Sequence, residues 1–212
     1  MKPLIVANWK CNPATLKEAK ALFDQVKNTR AVICPPFVYL SALKANGAQD
    51  CLWASPAGEG GGAYTGEISP LMLKNMGIKY VILGHSERRK YFKETNEMIE
   101  KKLQAALKVG LKPILCIDKI SQIPTDLAAE VVVAYEPLFA IGTGKACNPE
   151  RAEKMRMAIK RATGGKNPIL YGGSVNAQNA RDYIYQAWFQ GLLVGGASLK
   201  PKEFVDIVKN VC

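Results

Sequence analysis

Val131-Val132-Val133-Ala134-Tyr135-Glu136-Pro137 is an apolar, largely β-branched run that stops on a carboxylate and a proline. Branching at Cβ favours extended backbone. A strand with one face in water alternates apolar and polar residues. This one does not, so both faces are expected to be covered, as in a parallel sheet flanked by helices. Working outward from 131–135, the segments 4–8, 31–34, 47–50, 80–84, 112–117, 168–172 and 191–195 are also expected to be strands. Amphipathic stretches fill most of the gaps. Thr15 and Glu18 make a capping box for a stripe of Leu16, Ala19, Leu22, Phe23 and Val26. Asn148-Pro149 pairs an N-cap with a first-turn proline ahead of Met155 and Ile159, and Thr95 opens a stripe of Ile99, Leu103 and Leu107 that Gly110 closes.

Strands alternating with helices from end to end fit either a doubly wound open sheet or a closed (β/α)8 barrel. The polar and glycine residues favour the barrel. Asn8 with Lys10, His85, Glu136, Gly172-Gly173-Ser174 and Gly195-Gly196 each follow a different strand at its C-terminal end, and a barrel gathers those ends at one mouth.

With 212 residues, 48% hydrophobic and 22% charged, the chain is expected to bury one core in a single domain, 1–212. The apolar start meets Asn8 too soon for a signal peptide or a membrane span, so a cytoplasmic protein without membrane contact is expected. Six cysteines without a C-x-x-C pair, beside a single histidine, argue against a zinc site and for reduced, mostly buried thiols. The formal charge of +11 raises nucleic-acid binding. However, Lys101, Lys102, Lys108, Lys154, Arg156, Lys160 and Arg161 interleave with acids and lack aromatic partners. They read as solvated helix faces that steer an anionic substrate, with no nucleic-acid partner.

Four constellations carry chemistry. Lys10, in Asn8-Trp9-Lys10, offers an ammonium for a phosphate or an oxyanion. His85 follows Tyr80-Val81-Ile82-Leu83-Gly84 and precedes a helix-like start at Ser86-Glu87, whose positive end is expected to keep the imidazole neutral. Glu136, at the end of a very apolar strand, is expected to be desolvated and so more basic. The run after it, Pro137-Leu138-Phe139-Ala140-Ile141-Gly142-Thr143-Gly144-Lys145-Ala146-Cys147, has the small residues of a lid. Gly172-Gly173-Ser174 and Gly195-Gly196-Ala197-Ser198 end the last two strands, where barrels commonly bind phosphate through backbone N–H groups.

In this order, together with Gly62-Ala63-Tyr64-Thr65-Gly66-Glu67-Ile68-Ser69-Pro70, these motifs resemble the triosephosphate isomerase set from the first strand to the C-terminus. The resemblance implies a TIM barrel and an intramolecular aldose-ketose isomerase of glycolysis and gluconeogenesis, without metal or organic cofactor. The substrate would be a triose phosphate, dihydroxyacetone phosphate or glyceraldehyde 3-phosphate. It makes Glu136 the base, His85 the electrophile and Lys10 the balancing cation. Asn8, Gly142, Ser174, Gly195 and Gly196 would contact substrate, with residues 137–147 as lid. It also implies a homodimer in which Thr65 approaches the partner's Asn8 and Lys10. The pairing of base and neutral imidazole is a known example of pKa tuning in this family.

Departures from the family pattern stand out. Phe139 replaces a usual tryptophan, Lys145-Ala146-Cys147 forms the far hinge, and Asp118-Lys119 replaces a usual Gly-Glu. Only a short stretch, 119–130, precedes the sixth strand, so the helix after strand five is expected to be lost. If Ile114, Cys116, Val132, Ala134 and Glu136 face inward, then Leu115, Ile117, Val131, Val133 and Tyr135 face outward and need cover. Ile120, Ile123 and Leu127 are expected to supply it as a short turn or helix, or else a second subunit does. Two other functions fit less well: a phosphosugar barrel using Lys10 as Schiff-base nucleophile, and a non-catalytic phosphosugar-binding barrel.

Overall fold

A computed structural model describes residues 2–50, 64–140 and 146–212. Eight strands run in parallel: β1 (Leu4–Asn8), β2 (Val32–Cys34), β3 (Gly47–Ala48), β4 (Tyr80–Leu83), β5 (Lys112–Ile117), β6 (Val132–Tyr135), β7 (Ile169–Tyr171) and β8 (Gly191–Val194). Between and after them lie α1 (Leu16–Val26), α2 (Leu40–Leu43), α3 (Pro70–Asn75), α4 (Ser86–Tyr91), α5 (Asn96–Lys108), α6 (Pro149–Ala162) and α7 (Pro201–Val211). This is a (β/α)8 barrel. The expected caps are in place: Thr15 and Glu18 bond reciprocally, while Thr95 and Asn148 accept N–H groups of their first turns.

The sheet order is β2-β1-β8-β7-β6-β5-β4-β3, which leaves β2 and β3 without a backbone ladder between them. Side-chain amides close that seam. Asn46 Oδ1 accepts the Ile33 N–H at 2.9 Å, and Gln49 Nε2 donates to the carbonyls of Cys34 at 3.0 Å and Lys10 at 2.7 Å. Only glycine lets the strands come this near, because a Cβ on Gly47 would sit 2.5 Å from both Cys34 Sγ and Val32 Cγ1.

Inside the barrel Val6, Val32, Ile82, Ile114, Cys116 and Ala134 pack together, while their strand neighbours face the helices. The alternation expected for β5 and β6 is therefore the one found. The outward stripe is covered: Leu115, Ile117, Val131 and Val133 are buried, and Tyr135, the most exposed of the five, is only 4% exposed. Cover comes from a 3-10 turn, Ile120–Gln122, and from Ile123, Leu127 and Ala128 packed on the core. Asn167 Nδ2 pins this segment by donating to the carbonyls of Ala128 and Val131, each at 2.8 Å. A few apolar side chains do the work of a helix, because only that stripe needs shielding from water.

Two cations read as solvated, Lys102 and Arg156, are buried instead. Lys102 on α5 sits 2.8 Å from Asp50 and 2.6 Å from Glu94, and Arg88 on α4 joins Glu94 at 2.7 Å. Charges taken from water need partners, and this group ties α4, α5 and the end of the β3 segment together behind the mouth. Burial of Asp50, only partly offset by Lys102, pushes its carboxyl up to about 6. Arg156 is also buried and donates to the Ala187 carbonyl at 2.8 Å. Helical spacing could not distinguish these residues from Lys101, which stays on the surface paired with Glu97.

Gly47→Ala is expected to lower the unfolding free energy by about 1–3 kcal/mol through overpacking at the seam. The urea midpoint measures this; an unchanged midpoint would mean that β2 and β3 are not in tight contact.

Candidate active site

Each strand end brings one part of the site. β1 ends at Asn8, whose Oδ1 accepts the Lys10 backbone N–H at 3.0 Å. That bond holds Lys10 in the left-handed region, with φ at +53°, an uncommon conformation for a side-chain-bearing residue. The Lys10 ammonium then reaches Glu87 Oε1 at 2.6 Å.

β4 ends at Gly84, with φ at +69°, where a Cβ would press on Arg89 and Ile99. Arg89 donates to the Gly84 carbonyl at 2.7 Å and to that of Cys116 at 3.3 Å, tying the ends of β4 and β5. His85 caps α4. Its Nδ1 accepts the Glu87 N–H at 3.2 Å, so the single proton of a neutral ring belongs on Nε2. That Nε2 lies 3.1 Å from Glu136 Oε1, and the second carboxylate oxygen accepts the Ser86 N–H at 3.2 Å.

Glu136 directly follows β6 and is buried. Gly172, after β7, leaves room for it, since a Cβ there would lie 3.0 Å from Glu136 Cγ. Ser174 Oγ donates to the Ala140 carbonyl, joining this glycine turn to the segment after Glu136. Gly195 and Gly196 follow β8 beside Lys10, and the 3-10 turn Gly196–Leu199 begins there. Asn8, Lys10, His85, Glu136, Ser174, Gly195 and Gly196 thus line one cavity of about 360 Å³. Gly142 lies outside the described residues, as do the rest of lid segment 141–145 and the pair Gly62-Ala63.

Both titrating groups differ from the expectation drawn from their own segments. Burial raises the Glu136 carboxyl, but His85, the Ser86 N–H and Lys10 outweigh it and hold the group below the ordinary carboxylate value. Burial lowers the His85 imidazole, but the adjoining Glu136 carboxylate outweighs it and holds the ring above its ordinary value. Each group is the other's partner, and a contact across 50 residues of sequence was not visible to local reading. The Glu87 N–H of the helix start does reach Nδ1, but it does not bring the ring below its ordinary value as expected.

Residues that the motif reading did not assign also line the cavity, among them Asn176, Lys200 and Glu203. Lys200 had one sequence signal, its place just before Pro201 at the start of α7. Glu87 was seen only as part of a helix start, whereas it is the counter-ion of Lys10. Among the described residues no group of three or more His, Cys, Asp or Glu side chains is placed to hold a metal. Of the described cysteines Cys34, Cys116 and Cys147 are buried, Cys11 and Cys212 are exposed, and all five are free thiols.

A parallel eight-stranded barrel whose mouth pairs a buried carboxylate with an imidazole, beside an ammonium and two glycine turns, is the framework of a barrel isomerase. The family model described as triosephosphate isomerase matches residues 3–211. The triosephosphate isomerase of Dictyoglomus turgidum is 38% identical over 253 aligned positions, covering 99% of this chain and 99% of that protein. Those of Alkaliphilus oremlandii and Fusobacterium nucleatum are 40% and 41% identical over 250 positions, covering 98% and 99% of this chain and equal shares of their own. The chain belongs to the triosephosphate isomerase family. The alignments are longer than the chain itself, so the family barrel is shortened here.

His85 is the only histidine, so its NMR titration reports the pair directly. Glu136→Gln removes the carboxylate that most raises the ring and leaves burial and Lys10, which lower it, against the smaller raising effect of Glu87. The His85 pKa is therefore expected to fall in that variant; an unchanged or higher value would show that the two side chains are not coupled.

Proposed function

We propose that Glu136, His85 and Lys10 interconvert dihydroxyacetone phosphate and glyceraldehyde 3-phosphate through an enediolate. The carrying observation is the 3.1 Å approach of His85 Nε2 to Glu136 on a cavity flanked by glycine turns. Substrate entering between them parts the pair. His85 then donates from Nε2 to the substrate carbonyl, and Glu136, freed of the imidazole, feels mainly the burial that raises its basicity.

Glu136 takes a proton from the carbon beside the carbonyl and returns it to the neighbouring carbon, while His85 moves a proton between the two enediolate oxygens. Lys10 turns from Glu87 to the developing negative charge. Asn8 shapes the pocket, and Gly142, Ser174, Gly195 and Gly196 hold the phosphate through backbone N–H groups. Residues 137–147 close over it, exclude water and keep the enediolate from losing phosphate. This chemistry calls for no metal or organic cofactor.

The working unit in this reading is a homodimer joined through residues 62–70, with Thr65 at the partner's mouth. Exposed apolar side chains support it: Val38 after β2 and Phe92 after α4 are 72% and 65% exposed, around the same half of the barrel. The cytoplasm is the proposed site of action; no described helix is long and apolar enough to cross a membrane.

Glu136→Gln is expected to reduce turnover a thousandfold or more, about 4 kcal/mol of barrier, while a phosphate-bearing analogue still binds. Near-parental turnover in a coupled assay would sink the assignment of the base. Thr65→Asp is expected to weaken association and activity together. Sedimentation and kinetics on the same samples check this, and a fully active monomer at assay concentration would overturn the dimer.

A further inference from the structure

Gln49 and Asp50 follow β3 as neighbours in the chain and serve two different arms of the site. Gln49 holds the Lys10 carbonyl at 2.7 Å. Asp50 reaches the other way, to the end of β4. The ladder between β3 and β4 stops at Ala48 and Val81, so the Gly84 N–H lies beyond it. Asp50 Oδ2 accepts that N–H at 3.4 Å, and Arg89 donates to the Gly84 carbonyl at 2.7 Å. Both backbone groups of Gly84 are thus held by side chains, at the left-handed residue that His85 follows.

The Asp50 side chain is 1% exposed and has two further partners. Lys102 Nζ lies 2.8 Å from Oδ1, and Arg88 Nε lies 3.4 Å from Oδ2. Glu94, between α4 and α5, shares both cations, at 2.6 Å from Lys102 and 2.7 Å from Arg88. Two carboxylates therefore balance two cations, and the Cys116 thiol on β5 also feels the Asp50 charge. The three groups that bond the Asp50 carboxyl all donate, Lys102 on one side and Gly84 with Arg88 on the other. A neutral amide of the same shape would turn its NH2 against a donor whichever way it faced, and the buried cations would lose one of their two counter-charges. An ionised carboxylate satisfies both sides.

We propose that the ionised Asp50 carboxylate is a positioning residue for the isomerase reaction, fixing the Gly84 N–H and, through Arg88, the start of α4, so that His85 meets the substrate carbonyl in one orientation. The inference rests on the reading of His85 as the electrophile. Protonation changes the hold, because a neutral carboxyl must donate its own hydrogen and leaves Lys102 and Arg88 to share Glu94 alone. Burial, with a smaller contribution from Glu94, pushes the Asp50 carboxyl up to about 6 against the opposing pull of Lys102 and Arg88.

Asp50→Asn keeps the shape and removes the charge. The expected result is a fall of about tenfold in kcat for glyceraldehyde 3-phosphate, the effect of losing one to two buried hydrogen bonds, with KM and competitive inhibition by inorganic phosphate unchanged. In the parent, the Gly84 amide followed by NMR should shift through a step at a pH of about 6 that the variant lacks. A parental kcat in the variant overturns the proposal. So does a loss of kcat matched by an equal loss of phosphate affinity, which a general loosening of the barrel would produce. His85→Ala tests the reading beneath. If that change leaves turnover at the parental level, His85 is not the electrophile and both readings fall; if it abolishes turnover while Asp50→Asn does not lower it, the role of Asp50 alone is discarded. Should Asp50→Asn fail to fold, the Gly84 amide of the parent decides by itself, and the absence of that step overturns the proposal.

Discussion

The site depends first on closure of the sheet. Asn8, the last residue of β1, and Glu136, just after β6, are far apart in the chain, and they share a cavity only because the strands come round in a circle. The weak place in that circle is between β2 and β3, where no ladder forms and the amides of Asn46 and Gln49 substitute for it. Gln49 also holds the Lys10 carbonyl, so the seam and the turn that aims the ammonium are fastened by one side chain.

At the mouth, polar and charged groups follow one another from Lys10 and Glu87, which are partly exposed, to His85 and Glu136, which are buried. The resting contacts hold the Glu136 carboxyl below and the His85 imidazole above its ordinary value, each largely through the other. In the proposed reaction, parting the pair removes the largest opposition to burial at the Glu136 carboxylate, while the Ser86 N–H and Lys10 remain. Behind the mouth, the group of Asp50, Glu94, Arg88 and Lys102 fastens α4, whose first residues carry the His85 and Ser86 contacts.

The shortened wall illustrates how little covering a barrel strand requires. The candidate site residues lie at strand ends, and the 119–130 segment covers the outer faces of β5 and β6 with apolar side chains. Loss of a helix there is tolerated because Ile123, Leu127 and Ala128 stay packed and Asn167 satisfies two carbonyls that a helix would otherwise have screened.

The sequence by itself determined the parallel barrel, the strand positions to within a residue or two, and the side chains at the mouth. It could do so because those features are written locally: short unbroken apolar runs, caps three residues apart, and polar or glycine residues where a strand stops. It also determined which faces of β5 and β6 needed cover. Only the tertiary structure decided the direction in which the Glu136 and His85 pKa values move, the burial of Lys102 and Arg156, and the clasp at the β2–β3 seam. Each of these depends on a partner tens of residues away. Burial and charge act through space, so a residue's segment cannot reveal whether its neighbour across the fold will be water, a carboxylate or a hydroxyl.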